Sequence, residues 1–229
     1  MLMPRLRRQM PVCVREDKAS RWFAVVLQAV GWLHERGVVH NDIKPANIML
    51  SERDEPVLID FGFAQHHPPE EGRFLSQLAY GTPEYLSPER ARGKAHDTRL
   101  SDIWSLGVTF FEVLVGRTPF ESTPAPADPA SPYSHEEEQK ADPDMSTAEG
   151  LKTYWDRTNR GEWVGEWRMS AGLEKLLRGM MCPRPEERPF ADQCLRDAYF
   201  SSNEKPVARE SRFATSLPVR CSPRLKARP

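Results

Sequence analysis

Long apolar runs are missing from this sequence. The longest, Trp22 to Leu33, is about a dozen residues broken by Gln28 and Gly31, whereas a bilayer-crossing helix needs roughly 20. It reads as a core helix, not a membrane span. Cysteine is scarce as well. Cys13, Cys182, Cys194 and Cys221 form no CxxC pair and no metal-ligand spacing, and no secretory leader precedes them. That argues against a disulfide framework or a zinc module and predicts a reducing, intracellular setting. An excess of charge of either sign is also absent: 32 Lys plus Arg stand against 33 Asp plus Glu. Bulk charge therefore points to neither nucleic acid nor a membrane surface as the main partner. No internal repeat is present.

The 229 residues, 39% of them hydrophobic, suffice for one sizeable core, while 21 prolines exceed the needs of one compact domain. One globular domain with disordered extras follows. From Asp17 to Arg36, Phe23, Val26, Leu27, Val30 and Leu33 recur with the period of a helix that Gly37 ends. Two short β-like runs, Asn47 to Leu50 and Val57 to Ile59, flank the polar turn Ser51 to Glu55 and predict a hairpin. Residues 61–97 read as loop, and a buried helix is predicted from about Leu100 to Val115. Between Glu121 and Gly150, eight acidic residues and five prolines accompany a single basic residue, Lys140, which predicts a disordered acidic insertion. Order is expected again from Leu151, with helices from about Ala171 to Met181 and Phe190 to Tyr199. The last segment, 203–229, has seven basic residues against two acidic ones and reads as a flexible tail.

Beside the predicted hairpin stands His40-Asn41-Asp42-Ile43-Lys44-Pro45-Ala46-Asn47, and thirteen residues after Asn47 comes Asp60-Phe61-Gly62. The hairpin brings Asp42, Asn47 and Asp60 to one end. Such a set suits phosphoryl transfer, which needs a carboxylate to receive the hydroxyl proton, a cation near the moving phosphate and oxygen ligands for magnesium. Taken alone, Asp-Phe-Gly is a common turn tripeptide, and its context carries the reading.

These two motifs resemble the catalytic loop and magnesium loop of the eukaryotic-type Ser/Thr protein kinase family. The resemblance continues through Gly81-Thr82-Pro83-Glu84-Tyr85, Ser87-Pro88-Glu89 with Ser87 in place of the family's alanine, Asp102-Ile103-Trp104-Ser105-Leu106-Gly107, and Arg188. It covers roughly residues 15–200. The fold it implies is mainly α with a minor β part: a kinase-like C-terminal lobe, helical, with a short β-hairpin at the catalytic cleft. It implies Asp42 as catalytic base and Lys44 as the cation on the transferring phosphoryl group. It also implies Asn47 and Asp60 as magnesium ligands and Met49 beneath the adenine, with ATP and Mg2+ as the cofactors and a protein as substrate. Lys44, two residues after Asp42, and Thr82 both favour Ser/Thr over Tyr specificity. Structural roles are expected for His40 and Phe61 in the hydrophobic interior, for Asp102 as an anchor of catalytic-loop N–H groups, and for a Glu89–Arg188 ion pair. Trp104, Trp155, Trp163 and Trp167 read as core or groove residues.

Two departures from the family pattern stand out. Asn41 replaces an arginine that would pair with a phosphorylated loop residue, and Leu78 stands where that residue is often found. The loop is therefore expected to order itself without phosphorylation, and activity that depended on phosphorylated Ser76 would overturn this. Second, only 39 residues precede His40, too few for an N-terminal lobe of five strands and a helix. Residues 1–14 read as a remnant, the chain as an incomplete catalytic domain and a poor catalyst by itself. The lobe interface around Met49 and Phe61 is expected to be exposed, calling for a partner that supplies or covers it. Two other readings are a non-catalytic scaffold and a small-molecule phosphotransferase. Magnesium-dependent ATP binding separates the first from a kinase, and the substrate loop argues against the second.

Overall fold

The computed structural model describes residues 6–68, 74–121 and 147–202. The sequences predicted to be an acidic insertion and a basic tail lie outside these residues, apart from the insertion's ends. Strand β1 (Leu6–Gln9) leads to helix α1 (Glu16–Glu35). Its buried stripe is Ala19, Trp22, Phe23, Val26, Leu27 and Val30, and Glu16 and Asp17 place negative charge against the helix N-terminus. At Gly37 the backbone takes φ +74, and a Cβ there would lie 2.1 Å from the His67 carbonyl oxygen. Only glycine fits this stop.

After β2 (Val38–Val39), a loop and a 3-10 turn (Pro45–Asn47) lead into the hairpin of β3 (Ile48–Ser51) and β4 (Pro56–Leu58). The hairpin matches its sequence prediction, but it has a third strand. β1 pairs antiparallel with the free edge of β3, giving the order β1-β3-β4. Met10 follows it into the core, its N–H donating to Ile48 O at 2.8 Å, and Val14 N–H reaches Val113 O at 2.9 Å. Residues 6–14, read as a remnant, pair with β3 and send Met10 and Val14 against the core. A four-residue strand has little signal of its own, because its partner edge supplies the order.

The stretch 61–97 is mostly loop but not wholly so. β5 (Gln65–His66) pairs with β2, β6 (Leu75–Ser76) pairs with β7 (His96–Asp97), and α2 (Pro88–Ala91) lies between them. Helix α3 (Thr98–Val115) follows, capped by Asp97, whose carboxylate accepts from Arg99 N–H at 3.0 Å. It is buried on most faces, with Ile103, Trp104, Leu106, Phe110 and Phe111 fully enclosed. Phe110 stacks on Phe23 of α1 at 3.9 Å between centroids.

Helix α4 (Ala148–Arg160) begins inside the stretch predicted as insertion, because Thr147 caps it by accepting from Gly150 N–H at 3.0 Å. Helix α5 (Ala171–Met180), N-capped by Ser170, agrees with its prediction. The helix predicted over 190–199 is instead two, α6 (Ala191–Leu195) and α7 (Ala198–Ser202). Asp197 separates them: its carboxylate accepts from Tyr199 N–H at 2.9 Å and starts a new helix. Trp104 and Trp163 are buried, while Trp155 and Trp167 pack half-buried against the same core. Among the described residues no helix is long and apolar enough to cross a membrane.

The predicted Glu89–Arg188 pair is present and buried. Arg188 grips Glu89 with two bonds of 2.6 and 2.7 Å, donates to Cys182 O and Leu100 O, and lies over the Trp104 ring. Burial alone would raise the Glu89 pKa, but the Arg188 bonds and charge outweigh it and hold it below the ordinary range. Removing one partner strands the other, so Arg188→Met should lower the unfolding free energy by about 3–5 kcal/mol in urea titrations. Adding Glu89→Leu should recover part of that loss. A carboxyl with depressed pKa stabilises above its unfolded value, about 4, and the contribution is lost as pH falls through the lower folded value. The difference between wild type and Arg188→Met should therefore shrink below about pH 4; an undiminished difference there would contradict the assignment.

Candidate active site

Asp102, in the first turns of α3, is wholly buried. Its Oδ2 accepts from His40 N–H at 2.9 Å and meets His34 Nε2 of α1 at 3.0 Å, while Oδ1 accepts from Asn41 N–H at 2.8 Å. Burial pushes the Asp102 pKa up, and the bonds and charge around it, His34 foremost, bring it below the ordinary value. The anchoring role read for Asp102 is present, and His34 joins it. Nothing in the sequence marked His34, which looked like a last-turn residue of an amphipathic helix.

The anchored loop turns sharply. Asn41 adopts φ +68, a left-handed conformation that asparagine tolerates better than most residues. Its side-chain Nδ2 donates to Phe63 O at 3.1 Å, so a neutral amide ties this loop to the segment after Asp60-Phe61-Gly62. His40 is fully buried as expected, its Nε2 donating to Ile59 O at 3.0 Å and its Nδ1 accepting from Asp42 N–H at 3.3 Å. Those partners assign the ring tautomer.

Asp42 is the centre of what the loop presents. Asn47 Nδ2 donates to Asp42 O and to its Oδ2, both at 2.8 Å. Lys44 Nζ lies 3.0 Å from Oδ2 and 2.7 Å from Thr82 Oγ1, and Thr82 Oγ1 in turn donates to Asp42 Oδ1 at 3.3 Å. Three of the five predicted site residues, Asp42, Lys44 and Asn47, are therefore in direct contact. Thr82, read only as part of a substrate-facing loop, closes the network. Gly81 precedes it at φ +138, a conformation that residues with a side chain rarely adopt, and a Cβ there would lie 2.8 Å from Leu86 Cδ2.

Asp60 is exposed and left-handed at φ +60, its Oδ1 accepting from Gly62 N–H at 3.2 Å. It follows Ile59, whose N–H donates to Asn47 O at 2.9 Å, so the sheet pairing brings it beside Asn47. With Nδ2 committed to Asp42, the Asn47 carbonyl oxygen takes no hydrogen bond among the described residues. One neutral and one anionic oxygen donor fit magnesium, which takes few protein ligands and completes its shell with water and phosphate. Met49 is half-buried on β3 opposite Val57. Phe61 contradicts its expected place in the interior. It is 47% exposed and meets His40 edge-on at 4.8 Å between centroids, so its apolar surface finds one ring and no enclosing core. At the expected open interface, then, Phe61 is about half exposed and Met49 half-buried.

A sequence profile described as protein kinase domain matches residues 2–200, and the chain belongs to the eukaryotic-type Ser/Thr protein kinase family. It is 28% identical over 204 residues to CBL-interacting serine/threonine-protein kinase 26 of Arabidopsis thaliana, covering 89% of this chain and 40% of that protein. To CBL-interacting protein kinase 9 of Oryza sativa subsp. japonica it is 29% identical over 202 residues, covering 88% and 39%. Serine/threonine-protein kinase AtPK1/AtPK6 of Arabidopsis thaliana is 42% identical over 106 residues, 46% of this chain and 22% of that protein. The chain thus spans about two fifths of the length of the first two relatives.

Asp102→Asn keeps the volume but turns one acceptor into a donor facing a donor. It should cost about 2–3 kcal/mol and speed hydrogen exchange at the His40 and Asn41 amides; unchanged exchange there would remove Asp102 as the anchor.

Proposed function

We propose that this chain is the catalytic-loop and substrate-binding lobe of an ATP-dependent protein serine/threonine kinase. The reading rests on one observation: Asp42, Lys44, Asn47 and Thr82, drawn from two separate loops, meet in a single hydrogen-bonded network.

Asp42 receives the acceptor. Its Oδ2 is held by Asn47 and Lys44, and among the described residues its Oδ1 takes only the longer 3.3 Å bond from Thr82, the contact most readily exchanged for a substrate hydroxyl. Asp42 orients that Ser or Thr hydroxyl and takes its proton as the new O–P bond forms and the bond from the γ-phosphorus to the bridging oxygen of ATP breaks, leaving ADP. Lys44 balances the negative charge of the phosphoryl group in passage. Asn47 and Asp60 would hold magnesium, which when bound neutralises phosphate charge. Met49, on the same sheet, offers apolar surface for the adenine.

Among the described residues no glycine-rich loop or strand-borne lysine grips the β- and γ-phosphates, so the catalytic domain is read as represented here in part, and the full-length protein is the form to assay. In it, Asp42→Asn should reduce peptide phosphorylation by about 10²–10⁴-fold while magnesium-dependent ATP binding persists. Retained activity would sink the assignment of Asp42. Absence of magnesium-dependent ATP binding in the parent protein would favour the scaffold reading.

A further inference from the structure

Arg90, in α2, is only 2% exposed. Its neighbour Glu89 is spent on Arg188, and among the described residues the Arg90 guanidinium takes neither a hydrogen bond nor an ion pair. What it has is the ring of Tyr80, 5.5 Å from guanidinium carbon to centroid. A cation buried this way is costly unless a field compensates it. The carboxylates of Asp102, Asp42 and Glu89 supply that field, opposing the burial that lowers its pKa. Each of those carboxylates already has other hydrogen-bond partners. Arg90 therefore acts on them through charge alone and on Tyr80 through its ring.

Tyr80 is where two other pieces of chain converge, the segment of Phe63 and Gln65 and helix α2. Its hydroxyl accepts from Gln65 Nε2 of β5 at 3.0 Å, its ring packs on Phe63 at 5.2 Å between centroids, and Arg90 comes from α2. Phe63 in turn is bonded through its carbonyl to Asn41 in the catalytic loop. Gly81 and Thr82 follow Tyr80 directly, and Thr82 Oγ1 sits between Lys44 and Asp42. Whatever fixes Tyr80 also fixes Thr82.

We infer that Arg90 and Tyr80 are positioning residues of this site: an arginine–aromatic latch that holds the Leu75–Tyr85 loop on the catalytic loop without a phosphate. In this latch Arg90 contributes from α2 the positive charge that neutral Asn41 does not. The inference deepens the proposed function, resting on it only for the effect on phosphoryl transfer.

Hydrogen–deuterium exchange on the phosphatase-treated chain tests it. In the wild type, the Tyr85 and Leu86 amides, which donate to Thr82 O and Pro83 O at 3.0 and 3.1 Å, should be protected with no phosphate present. Arg90→Met and Tyr80→Ala should each speed their exchange by about tenfold or more, while amides of α3 from Ile103 to Phe111 keep their protection. Arg90→Lys, which keeps a cation, should restore part of it, and Tyr80→Phe, which loses only the Gln65 bond, should fall between. Wild-type exchange at the Tyr85 and Leu86 amides in both Arg90→Met and Tyr80→Ala, or protection of the wild-type loop only after phosphorylation, overturns the latch. If α3 also loses protection in Arg90→Met, Arg90→Lys and Tyr80→Phe decide: the graded change supports the latch and no change rejects it. In the full-length protein, Arg90→Met should raise the KM for a peptide more than it lowers kcat. Expected exchange without peptide phosphorylation by the wild type would leave the latch standing and remove the kinase reading.

Discussion

A single buried carboxylate, Asp102, joins the least mobile part of this molecule to its most chemical part. Helix α3 is enclosed on nearly every face, and Asp102 rises from its first turns without solvent contact. An ion there is tolerable only when hydrogen-bond donors compensate it, and His34, His40 and Asn41 supply them from α1 and from the loop. The bonds work in both directions. They keep the carboxylate ionised, and they hold two successive backbone amides in an arrangement that forces Asn41 into a left-handed conformation. That turn is what points Asp42 towards Asn47 and Lys44.

The second anchor sits one residue away on the same helix. Ser101 touches Glu89, Leu100 O accepts from Arg188, and the Glu89–Arg188 pair ties α2 to the segment before α6. The first turns of α3 therefore position both loops of the candidate site: the one carrying Asp42 through Asp102, and the one carrying Thr82 through Glu89. Tyr85 strengthens the second, its carbonyl accepting from Ser105 at 2.7 Å and its hydroxyl donating to Glu112 at 2.5 Å. Thr82 meets Lys44 and Asp42 where two independent ties to one helix converge.

Short-range information accounts for most of what the sequence disclosed. Helices α1, α3 and α5 follow from apolar spacing and the residues at their ends, the hairpin from a polar turn between β-like runs, and Asp42, Lys44 and Asn47 from their spacing within one loop. What stayed hidden depended on distant partners. β1 exists because β3 offers a free edge, His34 matters because α3 brings Asp102 to it, and Thr82 joins the network only when α2 is fixed. Phe61 misled for a related reason: a motif specifies a residue type and a turn but not what covers the ring. The split between α6 and α7 was readable in principle, since Asp197 is a favourable cap, but apolar periodicity across it hid the break.

Asn41 and Arg90 are best understood together. Both approach the Phe63–Tyr80 pair, Asn41 through the Phe63 carbonyl and Arg90 through the Tyr80 ring. An arginine at position 41 would bring a second guanidinium to this neighbourhood, where Arg90 already lies in the field of Asp42 and Asp102 and has no room for a hydration shell. Two such cations would repel across a low-dielectric interior, and one would need an added anion such as a phosphate to stay. A neutral amide at 41 removes that requirement while keeping a hydrogen bond to the loop. The uncharged residue and the buried arginine are thus two parts of one solution, in which the charge balance of the site is met from within the chain.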